Sequence, residues 1–237
     1  MNLPISDRLF ACCAYIAKGD RVADIGCDHG YLGIHLLLNN IASFVIAADI
    51  NPQPLDSAKR NASKFGVTDR MSFHLSDGAN NLPRDFDTLV CAGMGADTIV
   101  SILSGAPWLQ SEGYRLILQC QSKTPMLRQY LSENGWHIAE ETVLRDGKFL
   151  YTVMNILWQP GHCLTVGERY FSPALLIKPS PVAAEYYRQV IAKLQRAVDG
   201  RGDCADPTHI TALSELRALA DNPATMWLKE DRNDNCK

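Results

Sequence analysis

Short apolar runs alternate with helix-period stretches along the first 160 residues of the chain. The apolar runs are RVADIG (21–26), SFVIAADI (43–50), MSFHL (71–75), TLVCAG (88–93) and YRLILQ (114–119). Between them stand YLGIHLLLNN (31–40), the segment from Asn51 to Val67, ADTIVSILSGA (96–106) and MLRQYLSENG (126–135). Asn51-Pro52 is a helix-start signal and Gly135 a natural stop. TLVCA and RLILQ have continuously apolar centres, as strands buried on both faces require. WHIAEETVLRD and KFLYTVMNILW then follow with no helix between them, and Arg145-Asp146-Gly147-Lys148 reads as a hairpin turn. The pattern predicts an α/β fold: a Rossmann-like, doubly wound, mostly parallel sheet closed by an antiparallel edge hairpin.

The pattern changes past residue 160. The segment 159–181 carries four prolines and no clear period, and predicts a linker wrapping the surface. Tyr187, Val190 or Ile191, Leu194 and Val198 then recur at helical spacing. Asp206 and Pro207 start a second such stretch, with Ile210, Leu213, Leu216 and Ala220 on one face. Two amphipathic helices over 182–221 predict a small C-terminal α-helical hairpin. The expected division is 1–160 for the main domain and 161–237 for linker and hairpin.

At 46% hydrophobic and 21% charged residues, the composition is that of a soluble globular protein. No run of about eighteen apolar residues appears, so no membrane span is expected. The N-terminal stretch mixes acid and base and predicts an amphipathic helix in place of a secretory signal. Cys27, Cys91 and Cys120 sit singly in apolar runs, Cys12 and Cys13 are neighbours, and no CxxC exists. Buried thiols in a cytoplasmic protein, with no metal site, are the expectation. The net charge of −3 carries no global basic field, so a nucleic-acid partner would need a local patch. Lys123 and Arg128 are the phosphate candidates on the rim, and Arg188, Lys193, Arg196 and Arg201 form one basic stripe on the hairpin.

Ligands of an open parallel sheet bind where the strands end. The first run ends in Asp24-Ile25-Gly26-Cys27-Asp28-His29-Gly30, the second in Asp49-Ile50, the third in Asp77-Gly78 and the fourth in Ala92-Gly93-Met94-Gly95. The fifth ends in Gln119-Cys120-Gln121. A dinucleotide turn would carry glycine where Asp28 stands, and a carboxylate there repels a pyrophosphate. A phosphate-free cofactor bearing an ammonium and a sulfonium suits the acids, which points to S-adenosylmethionine. Gly26 and Gly30 let the backbone approach it, Asp49 is placed to accept from the ribose hydroxyls, and Asp77 from the adenine amino group, with Gly78 leaving room for the ring.

With Ala23-Asp24-Ile25-Gly26, Asp28-His29, Tyr31-Leu32, Asp77-Gly78, Ala92-Gly93-Met94-Gly95, Leu116-Ile117-Leu118-Gln119, Leu127-Arg128, Trp136 and Pro173, the chain resembles the class I methyltransferases. More narrowly it resembles the bacterial family that methylates N1 of adenine 22 in tRNA. It departs from that pattern at Cys120-Gln121, where the family has Pro-Asn, at Ala96, where it has Gly, and at Asp49, where it has Glu. The resemblance implies a tRNA partner, methyl transfer to an adenine N1, and a helical C-terminal end.

N1 of adenine has an in-plane lone pair and becomes cationic as it is methylated. Positioning and a nearby carboxylate are therefore the chemistry required. Asp28 is the candidate stabiliser, with His29, Tyr31 and Gln119 as base contacts; alternatively Asp28 caps the following helix and binds the cofactor's amino group. Gly93 and Met94 complete the expected cofactor set, with Asp24, Gly26, Gly30, Asp49, Ile50, Asp77 and Gly78. Amino-group methylation lacks its Asn/Asp-Pro-Pro-aromatic turn, and a cysteine nucleophile has only Cys120 as a candidate. Two rivals remain open: an enzyme acting on a small molecule or another RNA base, and a non-catalytic cofactor-binding protein that dimerises through the hairpin. The chain is expected to be a monomer or homodimer.

Overall fold

The computed structural model describes residues 3–229; positions 1–2 and 230–237 lie outside the described residues. Five parallel strands, β1 (Arg21–Ile25), β2 (Phe44–Asp49), β3 (Met71–Leu75), β4 (Thr88–Met94) and β5 (Arg115–Cys120), are followed by β6 (Trp136–Asp146) and β7 (Phe149–Trp158). The sheet order is β3-β2-β1-β4-β5-β7-β6, with β7 antiparallel to both its neighbours. The order reverses between β1 and β4, which opens a crevice at their carboxyl ends. Phe149 pairs Asp146 across the two-residue turn at Gly147-Lys148, as the turn signal predicts.

Both sheet faces are covered, which is why the central strands lack polar alternation. One layer holds α1 (Asp7–Cys13), α2 (Tyr31–Leu38) and α3 (Pro52–Lys64), packed through Cys12, Ile34, Leu37 and Leu55 on Val45, Val90 and Ile117. The other holds α4 (Ala96–Gly105) and α5 (Thr124–Glu133), whose Ile99 and Leu127 meet Ile25, Leu89 and Leu118. Gly135, at φ +78°, ends α5 in the left-handed conformation that a C-terminal stop needs.

The segment after 160 is structured, in contrast to the linker expected from its prolines. Thr165 and Glu168 form a reciprocal capping box that starts α6 (Val166–Tyr170), and Pro173–Leu176 makes a 3-10 turn. Phe171 and Leu175 are buried. Five helical residues are too few to show a period, and proline at a first helical position starts an element as readily as it breaks one. The predicted hairpin is α7 (Pro181–Asp199) and α8 (Pro207–Asp221), with Asp206 accepting from the Thr208 N–H as a cap. Tyr187, Leu194, Leu213 and Leu216 share one apolar cluster with Phe171, Leu175 and Val143 of β6. Ile210 departs from the predicted face: it is exposed, while Ala212 is buried. No described helix is long and apolar enough to cross a membrane.

Candidate functional site

Three residues in the five-residue turn between β1 and α2 adopt left-handed backbone: Gly26 (φ +71°), Asp28 (φ +47°) and Gly30 (φ +72°). A Cβ on Gly26 would meet the end of the flexible Met94 side chain, which can move aside, so what the glycine supplies here is the left-handed backbone of the turn. A Cβ on Gly30 would press on Ala58, which sets α2 against α3. Asp28 is one of few side-chain types that tolerate this conformation. The N-cap of α2 is Gly30, with no side-chain cap bond, so the capping alternative for Asp28 is not what the chain uses. Its carboxylate is instead 72% exposed, 3.7 Å from the His29 Nε2, and the His29 ring stands 5.5 Å from that of Tyr31.

Asp24 and Asp49 lie below this exposed row. Asp24 is buried within β1, and its Oδ2 has no hydrogen-bond partner among the described residues. Burial first, and then the like charge of Asp49, pushes its carboxyl up to about 7. Asp49 accepts from the Asn51 N–H at 2.9 Å and from the Asp28 N–H at 3.4 Å, so it ties the β1 turn to the start of α3. Ile50 beside it is exposed. Asp77 is exposed beyond β3. Gly78, at φ +59°, has Ile102 of α4 as the nearest neighbour of a would-be Cβ, at 3.1 Å. Its lack of a side chain therefore serves the packing of that turn on α4.

Gln119 is fully buried at the end of β5. Its Oε1 accepts from the Gly93 N–H at 3.0 Å, and its Nε2 donates to the Cys120 carbonyl. It thereby holds the bulge at Ala92–Met94, where Gly93 takes φ +76°. A cleft of about 270 Å³ opens at these strand ends. Of the residues expected in the site, Asp24, Gly26, Asp28, Gly93 and Gln119 line it. Gly30, His29, Tyr31, Asp49, Ile50, Asp77, Gly78 and Met94 stand outside its lining. Arg8 and Leu9 of α1 also line the cleft. No local signal marks them, because α1 reaches the site only by folding back across the sheet.

Arg128 is not available for a phosphate. It is fully buried, its Nη2 is 2.7 Å from the Glu141 Oε1, and its Nη1 donates to the carbonyls of Arg169 and Tyr170. Lys123 is exposed and paired with Asp97. A second groove, of about 790 Å³, runs between this rim and the helical hairpin, with Lys123, Met126, Arg169, Tyr186, Lys193 and Arg196 among its walls. Of the predicted stripe, Lys193 and Arg196 face that groove, while Arg188 and Arg201 do not line it.

Cys120 is buried, burial pushes its thiol up, and its Sγ donates to the Ser122 carbonyl, so it is a packed thiol. Cys163 and Cys204 are exposed, unlike the buried thiols expected. Among the described residues no group of three or more metal-ligating side chains exists.

A family model described as a methyltransferase domain matches residues 5–154. A tRNA (adenine(22)-N(1))-methyltransferase of Bacillus subtilis is 33% identical over 154 residues, 65% of each chain. The chain spans less than two thirds of the length of the first curated relatives it matches, 61% to 65%. The crystal structure of the B. subtilis m1A22 tRNA methyltransferase TrmK superposes with a TM-score of 0.76 at 27% identity, covering 96% of this chain and 98% of that one. A Streptococcus pneumoniae protein solved in complex with S-adenosyl-L-methionine gives 0.78 at 27% identity, covering 90% and 99%.

Proposed function

The chain belongs to the methyltransferase-domain family, and from that premise we propose that it transfers a methyl group from S-adenosylmethionine to N1 of an adenine in tRNA, position 22 by likeness to its relatives. One observation carries the cofactor reading: Asp24 lines the strand-end cleft with a buried carboxylate oxygen that has no hydrogen-bond partner among the described residues. A buried acceptor without a partner is costly, and a bound cation or N–H donor removes that cost. Asp24 would hold the cationic amino group of the cofactor, Asp49 and Ile50 its ribose side, and Asp77 and Gly78 its adenine side. Gly26, Gly30, Gly93 and Met94 shape the backbone around it. The bound cofactor supplies an electrophilic methyl on a positively charged sulfur.

The remaining chemistry belongs to the chain. Asp28 places an ionisable carboxylate in the open mouth of the turn, where it stabilises positive charge developing on the base. His29 and Tyr31 offer a ring pair beside it for the base edge or face. Gln119 acts chiefly by holding Gly93 in place, with its remaining amide hydrogen as the base contact. The residues of 1–160 carry the cofactor. From 161–237, Arg169, Tyr186, Lys193 and Arg196 form with the Lys123 rim a groove in which the cationic side chains meet phosphates.

Two measurements test this. Titration with S-adenosylhomocysteine is expected to show binding by the wild type and a weakening of about 1–3 kcal/mol in Asp49→Ala, which loses a charge-assisted acceptor. In tRNA from cells with and without the protein, N1-methyladenosine at one position is expected to disappear in its absence. Wild-type protein without affinity for the homocysteine would overturn the cofactor reading, and unchanged tRNA would overturn the substrate.

A further inference from the structure

Among the described residues that line the strand-end cleft, Asp24 and Asp28 are the acids and Arg8 is the single cation. Arg8 comes from α1, far away in sequence, and the sheet's edge hairpin holds it from behind. Its Nε donates to the Asp146 Oδ2 at 2.6 Å, and its guanidinium carbon stands 5.0 Å from the centre of the Tyr151 ring. One edge of the guanidinium plane is thus fixed by a charged hydrogen bond and one face by an aromatic ring. The described hydrogen bonds of Arg8 engage Nε, and neither terminal nitrogen is buried without a partner.

We propose that Arg8 is the anion anchor of this cleft: held by Asp146 and Tyr151, its terminal N–H groups bind a pair of anionic oxygens on the ligand. The inference rests on the methyl-transfer reading and deepens it. Asp24 accounts for the single ammonium of a zwitterionic amino-acid end, but the two carboxylates of the cleft would repel its carboxylate. A cleft built only of acids would therefore bind such an end poorly. A planar guanidinium fork matches two oxygens on one centre, whether the carboxylate of the cofactor or a phosphate of the target nucleotide.

Calorimetric titration of the full chain, with thermal melting as a folding check, separates these. The ligands are S-adenosylhomocysteine and 5′-methylthioadenosine, which lacks the amino-acid end. Arg8→Ala is expected to weaken the homocysteine at least tenfold and leave methylthioadenosine unchanged, which assigns the carboxylate. Unchanged affinity for both, with a tenfold higher KM for tRNA and a salt dependence reduced by about one phosphate contact, assigns the phosphate instead. Unchanged homocysteine affinity together with unchanged tRNA kinetics overturns the proposal. Asp146→Asn leaves Arg8 in place without its charged tether and is expected to give about a threefold loss in the same arm. If Arg8→Ala fails to fold, Asp146→Asn decides, and no change in either arm overturns the anchor. Failure of the wild type to bind the homocysteine overturns the cofactor reading, a different outcome from failure of Arg8.

Discussion

Arg128 of α5 and Glu141 of β6 are both fully buried and meet at 2.7 Å, whereas Asp24 and Asp49 are buried at the ends of neighbouring strands with no ion-pair partner among the described residues. Arg128 also donates to two backbone carbonyls at the end of α6, so it fastens the 161–180 segment to the sheet domain. Among the described residues each partner of that pair keeps one atom without a hydrogen bond, Arg128 Nε and Glu141 Oε2, yet the pair is neutral as a unit. Asp24 keeps an orphaned oxygen and a like charge beside it. The difference separates two uses of a buried charge. Arg128 finds its counterpart inside the chain, whereas Asp24 keeps that place open with its pKa raised; in the function proposed above, the open place is the cofactor's.

The comparison is broken most severely by removing one partner of the closed pair. Arg128→Ala is expected to cost about 3–5 kcal/mol in urea unfolding, because Glu141 is left buried and unpaired. Arg128→Met with Glu141→Leu is expected to recover most of that loss, with Phe171 and Leu175 still packed. Recovery would show that the pair is replaceable structure.

The next effect falls on chemistry. Asp28→Asn retains a residue tolerant of φ +47°, so the fold is expected to stay intact. Single-turnover methyl transfer is nevertheless expected to fall about 10²-fold, roughly 3 kcal/mol of transition-state electrostatics. A rate within threefold of wild type would remove Asp28 from the reaction and pass the base contact to His29, Tyr31 or Gln119.

The smallest effect is a pH dependence. Asp24 keeps its proton in the folded state up to about 7, while the unfolded chain releases it near the ordinary aspartate value. Its contribution to stability is therefore complete below about 4 and is lost as pH rises through 7, at no more than about 1.4 kcal/mol per pH unit. Wild type minus Asp24→Asn, melted between pH 5 and 8, is expected to show that slope. Saturating S-adenosylhomocysteine should flatten it by favouring the ionised carboxylate, and an identical slope in the variant would assign the titration elsewhere.

Much of this contrast was legible along the chain. The strand ends at Asp24, Asp49, Asp77, Gly93 and Gln119 are written locally as apolar runs that stop at acids and glycines. Arg128 was misread as a phosphate contact, because a helical arginine near a site looks the same whether it faces water or Glu141. Ile210 was misread for a similar reason: α8 places Ala212 toward the core, and one turn of helix offers no spacing that distinguishes the two.

Hydrophobic period and turn chemistry by themselves determined the order of strands and helices, the Gly147 turn, the Gly135 and Asp206 helix ends and the terminal hairpin. These are interactions among residues close in sequence. Only the tertiary structure decided which side of α5 is buried, that 161–180 is folded rather than linking, and that Arg8 enters the cleft. Each of these depends on a contact across 13 residues or more, such as Arg128 with Glu141 or Arg8 with Asp146. Contacts of that kind exist only once the sheet has brought distant segments together, and no local pattern encodes them.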